Sequence, residues 1–565
     1  MSCKIAHITD LHWRQAIDGT SGDYNRKSRL MPLAFSDALN KMKTQGVEVI
    51  ALTGDLLDVP EEELTKSSLL QVVEDYQSIK KALDDSGLEY VCIPGNHDHL
   101  DSFFNVFGKE RIKEAFGYEF ISFYDHVPWP EPVERQGEEA NAFNDALSRP
   151  GQRNQIHLQY YIIHSKESED SIITYQDKPG VSLTDQQKTQ RPKRIMNHAY
   201  ADSTELLGKI KNSSRVKLLL SGHYHSGCQL AQWGEVHSHT GPSFSEEAFT
   251  YVLLDLSKNE VTATTVDMKE EINSSSIDSP YELRGQWLKG GLHTHCKESS
   301  GCAHTPLADG VEMYSRKNYN FLAITDHDTI TPIDDVKNKY PDITFFEGYE
   351  HSVSNHMLFI SEKAKPHYEI EDKKEALKQA ADELTIICHP QGPKADYWTK
   401  EELKDYPVLP TGVEVFNGHY GAPGWRTAGA GWDYTDFWVG CLDEGIKLLA
   451  YANDDFHEHQ KDFSNGWNMV FAPGRTPSKV LGALKKGSCY GTTGLTILSL
   501  HEYRGRIVVN FEEEVKGSFF GPGQDILMSK RAKSFEFDHS NEAYLRFEAE
   551  KNGRKCWTQA FHAKG

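Results

Sequence analysis

Acidic and histidine side chains stand at the ends of short apolar runs along this chain, and this pattern constrains the fold more than any other feature. The first series is Asp10 and His12, Gly54-Asp55, Gly95-Asn96-His97-Asp98, His164, and Gly222-His223-Tyr224-His225. The second series is His293 and His295, Asp326-His327, Glu350, His356, His389, and Asp455-Phe456-His457. Apolar runs of this kind are typical of buried parallel strands, and α/β enzymes place their chemistry in the loops that leave the carboxyl ends of such strands. The sequence therefore predicts an α/β fold with two sites that bind several divalent ions through oxygen and imidazole ligands.

Length and charge bound the class of protein. A chain of 565 residues exceeds what one core fills, and two to four domains are expected at roughly 100–200 residues each. The formal net charge of −22 argues against loose binding to nucleic acid or to an anionic membrane. Nine cysteines are scattered without a CxxC pair, and the start MSCKIAHITDLHW lacks the pattern of a signal peptide. We therefore expect a protein of the reducing cytoplasm that does not enter a membrane.

Strand and helix signals divide the chain into four parts. Residues 1–267 alternate strand-like runs such as VEVIALT with stretches of helical spacing such as PLAFSDALNKMKTQG. Residues 268–285 are rich in Ser, Asp and Glu and are predicted to be a linker. Over residues 286–495 the alternation restarts, and each run ends in a polar or ligand residue, as in a (β/α) barrel with its site at the C-terminal face. Residues 496–565 have an all-β pattern and are predicted to form a small module.

The first series resembles the calcineurin-like metallophosphoesterases, an α/β sandwich, in the order D-x-H, G-D, G-N-H-D, H and G-H-x-H over residues 1 to about 265. The resemblance implies one ion held by Asp10, His12, Asp55 and His225, and another held by Asp55, Asn96, His164 and His223. A long insertion precedes His164, and the nearby His157 is a rival for its position. The resemblance also implies in-line displacement at phosphorus, with His97 binding the phosphate or protonating the leaving oxygen. Arg14, Arg26, Lys27 and Arg29 could meet a substrate anion, but they are expected in a solvated basic stretch.

The second series resembles the PHP (polymerase and histidinol phosphatase) family, a distorted (β/α)7 barrel. GSCYGTTG and the tail NGRKCWTQAFH are similar to the carbaryl-hydrolase-type (CehA/McbA-like) branch, in which a small β module ends in a Trp-Thr motif. The resemblance spans residue 286 to the end. It implies one ion held by His293, His295, Glu350 and Asp455, a second held by Glu350, His356 and His389, and a third that His327 and His457 help to hold. Ser300 stands where the family often has a further Asp ligand, so the third ion is expected to be weak unless Glu298 or His304 replaces that ligand.

The two resemblances together imply a bifunctional metal-dependent phosphoesterase, with a dinuclear phosphodiesterase first and a phosphomonoesterase second. The ions would be Mn, Fe or Zn, two in the first domain and two or three in the second. The partner would be a small-molecule phosphate ester or a nucleotide, possessing a cyclic or diester phosphate that the two sites cleave in sequence; the oligomeric state stays open. One alternative is a nuclease or nucleic-acid end-processing enzyme, against which the charge of −22 argues. Others are a carboxylester or carbamate hydrolase in the PHP half, and a non-catalytic metal-stabilised scaffold, against which the nearly complete ligand sets argue.

Overall fold

The computed structural model describes residues 2–15, 26–59, 64–127, 133–168, 170, 198–246, 249–257, 260–268, 275–281, 285–392, 394–420, 432–458 and 461–564. The described residues up to 268 form one compact unit, and those from 275 onward form a second. Each unit has an apolar core of its own. Among the described residues, no helix combines the length and the hydrophobicity that crossing a membrane requires.

The first unit mixes strands and helices. Its strands are β1 (Cys3–Ile8), β2 (Val49–Thr53), β3 (Glu89–Ile93), β4 (Ile112–Ala115), β5 (Tyr118–Ser122), β6 (Asn154–Leu158), β7 (Val216–Ser221), β8 (Ala231–Trp233), β9 (Val236–Thr240), β10 (Tyr251–Leu256) and β11 (Val261–Val266). Its helices include α1 (Met31–Thr44), α2 (Lys66–Ser86), α3 (Leu100–Phe107), α4 (Gly137–Ser148) and α5 (Ser203–Lys211), with a 3₁₀ turn at Ser28–Leu30.

These strands form two sheets that share one core. The first sheet has the order β11-β10-β1-β2-β3, and the second has the order β4-β5-β6-β7-β9-β8. Strands β1, β2 and β3 are parallel, as are β5, β6, β7 and β9. Ile5 and Val49 of the first sheet belong to the same apolar cluster as Phe120 and Leu218 of the second. The unit is therefore an α/β sandwich in which several parallel strands end close together.

Local sequence explains why these elements begin and end where they do. All five residues of β2 are buried, as expected for a parallel strand covered on both faces. Helix α2 begins after Thr65, whose side chain accepts a hydrogen bond from the backbone N–H of Ser68, and it ends at Gly87 with φ +70°. The helical spacing of PLAFSDALNKMKTQG predicted α1 to within two residues of its bounds.

The second unit contains the remaining strands and helices. Its strands are β12 (Ile277–Asp278), β13 (Gln286–Gly291), β14 (Phe321–Ile324), β15 (Thr344–His351), β16 (Met357–Ser361), β17 (Leu384–Ile387), β18 (Gly412–Asn417), β19 (Trp432–Asp433), β20 (Leu449–Asn453), β21 (Trp467–Ala472), β22 (Cys489–Thr492), β23 (Ile497–Tyr503), β24 (Arg506–Phe520), β25 (Ile526–Asp538), β26 (Tyr544–Lys551), β27 (Arg554–Thr558) and β28 (Phe561–Ala563). Its helices include α6 (Leu307–Arg316), α7 (Asp334–Lys339), α8 (Lys373–Gln379), α9 (Lys400–Lys404), α10 (Thr435–Asp443) and α11 (Pro477–Lys486), with 3₁₀ turns at His367–Glu369 and Pro522–Gln524.

A closed barrel positions the second series of ligands. Strands β13, β14 and β15 are parallel, β16 runs against β15 and β17, and β17, β18 and β20 are parallel again. Strand β21 pairs antiparallel with β13. The carboxyl ends of β13, β14, β15, β17, β18 and β20 therefore lie at one end of the barrel.

The C-terminal strands form an antiparallel module with its own cluster of aromatic side chains, including Phe511, Phe535 and Phe547. Part of the predicted linker 268–285 belongs to this module. Residues 269–274 and 282–284 lie outside the described residues, but β12 pairs with β28, and Ile277 and Tyr281 are buried in the cluster. The sequence did not reveal this because two apolar anchors are diluted in a Ser- and Asp-rich segment.

Candidate metal centres

Six of the predicted ligands adopt a strained backbone at strand ends. Fifteen described residues other than glycine have a positive φ. Six of these are predicted ligands, with φ between 28° and 65°: Asp10, His12, Asp55, His223, His389 and Asp455. Such a conformation costs on the order of 1–3 kcal/mol and clusters at functional sites, where the surrounding structure fixes it. The strain is thus concentrated where the two series of ligands leave their strands.

Four ligands of the first unit converge, and we call Asp10, His12, Asp55 and His225 the first cluster. His12 Nε2 lies 3.3 Å from His225 Nε2, 3.7 Å from Asp55 Oδ2 and 3.9 Å from Asp10 Oδ1. His225 Nε2 lies 3.4 Å from Asp10 Oδ1. Because ligands bind an ion at about 2.1 Å, atoms that share one ion stand slightly more than 3 Å apart. The first cluster is therefore arranged to hold one divalent ion.

Hydrogen bonds to neighbouring residues orient two of these ligands. Thr9 Oγ1 donates to Asp10 Oδ2 at 2.7 Å, and His225 Nδ1 lies 2.8 Å from Glu246 Oε1. Asp10 Oδ1 and His225 Nε2 are thereby left for the centre of the cluster. Burial lowers the pKa of His225, but its hydrogen bonds to Asp10 and Glu246 outweigh burial and raise that pKa to about 10. A bound cation would take the place of this proton.

Unsatisfied acceptors mark the place of a second ion. Asp55 Oδ2 and Asn96 Oδ1 are both buried, and neither accepts a hydrogen bond from any residue that the structure describes. Asp55 Oδ1, in contrast, accepts from the backbone N–H of His97 at 2.9 Å. Buried acceptors are normally paired with a donor, and a carboxylate oxygen beside an amide oxygen fits a cation instead. The donor set of the first unit therefore fits the ions that its sequence implies.

Tyr160, which follows β6, contacts two of these ligands. Its hydroxyl donates to Asp10 Oδ1 at 3.0 Å and lies 3.3 Å from His223 Nδ1. His164, the predicted ligand, donates its backbone N–H to Ser203 Oγ at 2.9 Å. His157, considered as its rival, is a core residue that packs edge-on against Phe123. Tyr160 was not predicted from the sequence, because tyrosine is not part of the ligand pattern.

His97 stands at the open side of the first cluster, where its side chain is 22% exposed. Its Nδ1 lies 3.2 Å from Asp58 Oδ1, and each of Arg14 and Arg26 places a guanidinium nitrogen 3.2 Å from the same carboxylate. Both arginines are buried, so their predicted position in a solvated basic stretch is wrong. Three cationic or protonatable groups on one carboxylate leave this edge of the site positively charged.

In the second unit, two histidines lie between two carboxylates, and we call His293, His295, Glu350 and Asp455 the second cluster. His293 Nε2 and His295 Nε2 lie 3.1 Å apart, each is 3.2 Å from Asp455 Oδ1, and each is 3.4 Å from Glu350 Oε2. Separations slightly above 3 Å are those of atoms that bind one ion at about 2.1 Å. His293, His295 and Glu350 are close enough together to hold one ion, and Asp455 Oδ1 lies beside both histidines.

Glu350 joins this cluster to a further set of ligands. While Glu350 Oε2 faces the second cluster, Oε1 lies 2.8 Å from His356 Nδ1 and 3.3 Å from His389 Nε2. His389 Nδ1 lies 2.9 Å from the carbonyl oxygen of Gly392, which leaves its Nε2 for Glu350. The structure thus brings the predicted ligands His356 and His389 together around one carboxylate.

A trio of histidines lies beside the second cluster. His295, His327 and His457 present nitrogens within 4.8 Å of one another. His457 Nε2 is buried and has no hydrogen-bond partner among the described residues, while its Nδ1 lies 2.8 Å from the carbonyl oxygen of Asp455. Ser300 Oγ donates to Asp326 Oδ1 at 2.6 Å and lies 3.3 Å from His295 Nδ1, so this pair orients a histidine.

Glu298 and His304, which were expected to replace the missing Asp ligand at position 300, have other contacts. Glu298 Oε2 accepts the backbone N–H of Leu307 at the start of α6, at 3.0 Å. His304 is exposed, and its backbone N–H donates to the carbonyl oxygen of His457. His327 and His457, beside His295 of the second cluster, therefore remain the donors for a third ion among the described residues.

Glu414 is a functional residue that the sequence analysis missed. It is fully buried, and its Oε1 lies 2.8 Å from His293 Nδ1. Its Oε2 accepts from the backbone N–H of His389 at 2.7 Å. It therefore orients ligands on both sides of Glu350. Its signal in the sequence is a carboxylate in the middle of the apolar strand GVEVFN, which only a buried cationic or donor partner explains.

Charges within the second cluster are strongly coupled. Burial lowers the pKa of His295, but Asp455 and Glu350 outweigh burial and raise it to about 9. The same carboxylates raise the pKa of His293. Burial and the neighbouring His295 lower the pKa of His457 to about 2. Without a cation, the cluster therefore holds protons on His293 and His295, and a metal ion competes with them.

Comparison with known proteins identifies the first unit. Residues 3–227 match the family model described as calcineurin-like phosphoesterase. No curated protein matches the chain. Similar solved structures include a dimetal phosphatase from Danio rerio (12% identity, TM-score 0.32, covering 46% of this chain and 95% of that one). They also include a two-domain protein from Bacteroides vulgatus containing a predicted PHP-like metal-dependent phosphoesterase (17% identity, TM-score 0.30, covering 52% of this chain and 90% of that one). A third is the calcineurin-like phosphoesterase YfkN from Bacillus subtilis (15% identity, TM-score 0.29, covering 48% of this chain and 92% of that one).

Structures with TM-scores this low do not support a family assignment. The assignment of the first unit rests on the family model and on the geometry of its ligands. The matched residues contain the first cluster together with Asn96, His97 and His223. Residues 3–227 therefore form a calcineurin-like phosphoesterase domain, and the chain is a metal-dependent hydrolase of phosphoric esters.

Proposed function

We propose that the chain is a bifunctional phosphoesterase, with a dinuclear phosphodiesterase in the first unit and a metal-dependent phosphomonoesterase in the second. One observation supports this most: each unit gathers buried imidazole and carboxylate ligands at the carboxyl ends of its parallel strands. In the second cluster, His293 Nε2 and His295 Nε2 each lie within 3.4 Å of an oxygen of Glu350 and of Asp455. Two ions in the first unit and two or three in the second fit these donors, and Mn, Fe and Zn all accept them.

In the first unit, the residues around His97 support cleavage of a diester. When bound, the ions would activate water and stabilise the charge on the phosphoryl oxygens. His97 Nδ1 lies 3.2 Å from Asp58 Oδ1, and the His97 side chain is partly exposed. Burial lowers the pKa of His97, but Asp55 and the hydrogen bond to Asp58 outweigh burial and raise it above its ordinary value. His97 can therefore carry a proton to the leaving oxygen, and the buried arginines on Asp58 favour an anionic substrate.

In the second unit, the exposed edge of the ligand set supports binding of a phosphate group. The side chains of His327 and His356 are 27% and 19% exposed, whereas those of His293, His295 and Glu350 are buried. A substrate would therefore approach over His327 and His356 and meet the ions held beneath them. A barrel with its ligands at the carboxyl ends of the strands supports the PHP-type assignment.

We further propose that the two reactions act in sequence on a cyclic or diester phosphate of a small molecule or nucleotide. The first would open a diester, and the second would remove the resulting monoester. We also propose a reducing cytoplasmic location, which the scattered cysteines without a CxxC pair support.

The test is hydrolysis of bis-(p-nitrophenyl) phosphate and p-nitrophenyl phosphate by the full-length protein, before and after chelation and after reloading with Mn²⁺ or Zn²⁺. We expect both esters to be cleaved, and both activities to depend on metal. Hydrolysis of neither ester would favour the metal-stabilised scaffold. Preference for p-nitrophenyl acetate over the monoester would assign the second unit to carboxylesters. Preference for oligonucleotides over cyclic nucleotides would favour the nuclease.

A further inference from the structure

Tyr160 stands at the position in the first unit where the other strands place their ligands. Asp10, Asp55 and His223 each follow the last residue of their strand by two positions: β1 ends at Ile8, β2 at Thr53 and β7 at Ser221. Strand β6 ends at Leu158, and the residue two positions later is Tyr160. His164 follows six positions after the strand. Because neighbouring parallel strands end at the same edge of a sheet, equal spacing from the strand end brings side chains to the same place.

The ring of Tyr160 packs closely against the backbone of Gly54 and Gly95. A Cβ on Gly54 would lie 2.2 Å from Tyr160 Cδ2, and a Cβ on Gly95 would lie 2.7 Å from Tyr160 Cζ. Only glycine at both positions admits the ring. Tyr160 is itself 1% exposed, and its hydroxyl lies 3.0 Å from Asp10 Oδ1 and 3.3 Å from His223 Nδ1. The phenol oxygen is thus delivered among the metal ligands by a close-fitting site.

We propose that the phenolate oxygen of Tyr160 takes the ligand position assigned to His164 and, with Asp55, Asn96 and His223, completes the site of the second ion. This inference rests on the proposed two-ion centre of the first unit. The separation of 3.3 Å between Tyr160 Oη and His223 Nδ1 is that of two ligands on one ion. The buried Asn96 Oδ1 and Asp55 Oδ2, which lack donors among the described residues, supply the other oxygens. On binding, the phenol loses its proton to solvent and the oxygen–cation contact replaces the O–H.

A phenolate ligand changes what the site prefers to bind. Three of the four donors would be oxygens, and two of them would carry negative charge. Such a set favours a harder, more highly charged ion, such as Fe³⁺, than a site completed by a second imidazole. Phenolate bound to Fe³⁺ also gives a visible charge-transfer band, which imidazole does not.

The experiment uses the full-length protein, stripped with chelator and reloaded with Zn²⁺ or with Fe³⁺. Ions per chain are counted by elemental analysis, and the Fe³⁺ form is examined by visible absorption. Tyr160→Phe should lose about one Zn²⁺ per chain and lose visible absorbance. Tyr160→His should keep the number of ions and still lose that absorbance.

Two matched variants serve as controls. Tyr161→Phe removes the hydroxyl of the adjacent buried tyrosine, which donates to the carbonyl oxygen of Val127 at 2.9 Å, and should change neither the ion count nor the spectrum. His164→Ala should also leave both unchanged. Comparing the melting temperatures of the metal-free Tyr160→Phe and Tyr161→Phe proteins detects any general loss of folding.

A wild-type ion count in Tyr160→Phe would overturn the proposal, as would loss of an ion in His164→Ala with the band retained in Tyr160→Phe. These readouts do not depend on which ester is cleaved. If neither ester is cleaved but the phenolate band is present, the proposed function is wrong and the inference about Tyr160 stands. If the diester is cleaved but Tyr160→Phe changes neither the ion count nor the visible absorbance, the inference about Tyr160 is wrong and the proposed function stands.

Discussion

Glu414→Gln should weaken ion binding throughout the second unit. Oε1 of Glu414 faces His293 Nδ1 at 2.8 Å and Asn453 Nδ2 at 3.0 Å. Oε2 faces the backbone N–H of His389 at 2.7 Å and Asn417 Nδ2 at 2.8 Å. All four groups donate to the carboxylate. An amide has one accepting oxygen, so in either orientation its NH₂ group meets two of these donors.

The loss of stability in Glu414→Gln follows from the number of donors left without an acceptor. Each buried donor left without an acceptor costs about 1–3 kcal/mol, so two of them should lower the free energy of unfolding by about 2–6 kcal/mol. The backbone N–H of His389 is fixed in place by the chain, whereas the ring of His293 can rotate. Rotation would move His293 Nε2 away from Glu350 Oε2. Loss of such an orienting partner typically weakens metal binding about 10–100-fold.

Glu383→Gln is the matched control in the same unit. Glu383 is 8% exposed and lies 3.3 Å from His367 Nε2, not among the ligands. Burial raises the pKa of Glu383 to about 7. Above that pH the folded protein must ionise a buried carboxyl, so the neutral amide should leave stability equal or higher at pH 8 and should not change ion affinity.

The assay for both variants is a chelator competition for Zn²⁺ and urea unfolding of the metal-free protein. If Glu414→Gln binds Zn²⁺ with wild-type affinity and unfolds at the wild-type urea concentration, Glu414 does not orient His293, and the argument from unpaired donors is wrong. Equal losses in Glu414→Gln and Glu383→Gln would assign the effect to any buried glutamate of this unit.

Three further results are expected. His97→Ala should keep the ions of the first unit but lower diesterase turnover about 10²–10⁴-fold, as for a lost proton donor; a fully active variant would remove that role. Asp55→Asn should reduce ion content and diesterase activity without affecting the monoesterase, and Asp455→Asn should do the reverse; parallel loss in either variant would contradict two separate centres. Because the pKa of His295 is raised to about 9, protons compete with metal below that pH, so the affinity of the second unit should fall as pH falls from 9 to 6, and a calorimetric titration should show proton release; affinity independent of pH would contradict it.

The positions of the ligands were predictable from the sequence because they depend on strand ends. An apolar run followed by Asp, Asn or His fixes which residues leave the sheet, and parallel strands bring those exits to one edge. The structure accordingly assembles Asp10, His12, Asp55 and His225 from three separate segments. It does the same for His293, His295, Glu350 and Asp455.

Groups that act through burial were not predictable in the same way. Arg14 and Arg26 were expected in solvent because their segment is basic, yet both are buried against Asp58, which lies more than thirty positions farther along the sequence. Glu414 and Tyr160 acquire their importance from neighbours contributed by other strands. Sequence spacing identifies which residues leave a strand, but it does not reveal which distant side chains those residues meet.

Both units accumulate features that a cation would relieve. In the first, Asp55 is buried, and the neighbouring charge of Asp10 adds to burial in raising its pKa. Its Oδ2 meets no hydrogen-bond donor in the described part of the chain, and both residues hold a positive φ. Each of these features opposes folding of the metal-free protein, so the surrounding sheets and core must stabilise it instead. An ion that binds the folded state removes the repulsion and supplies the missing contacts, and it therefore stabilises the fold in proportion to its affinity.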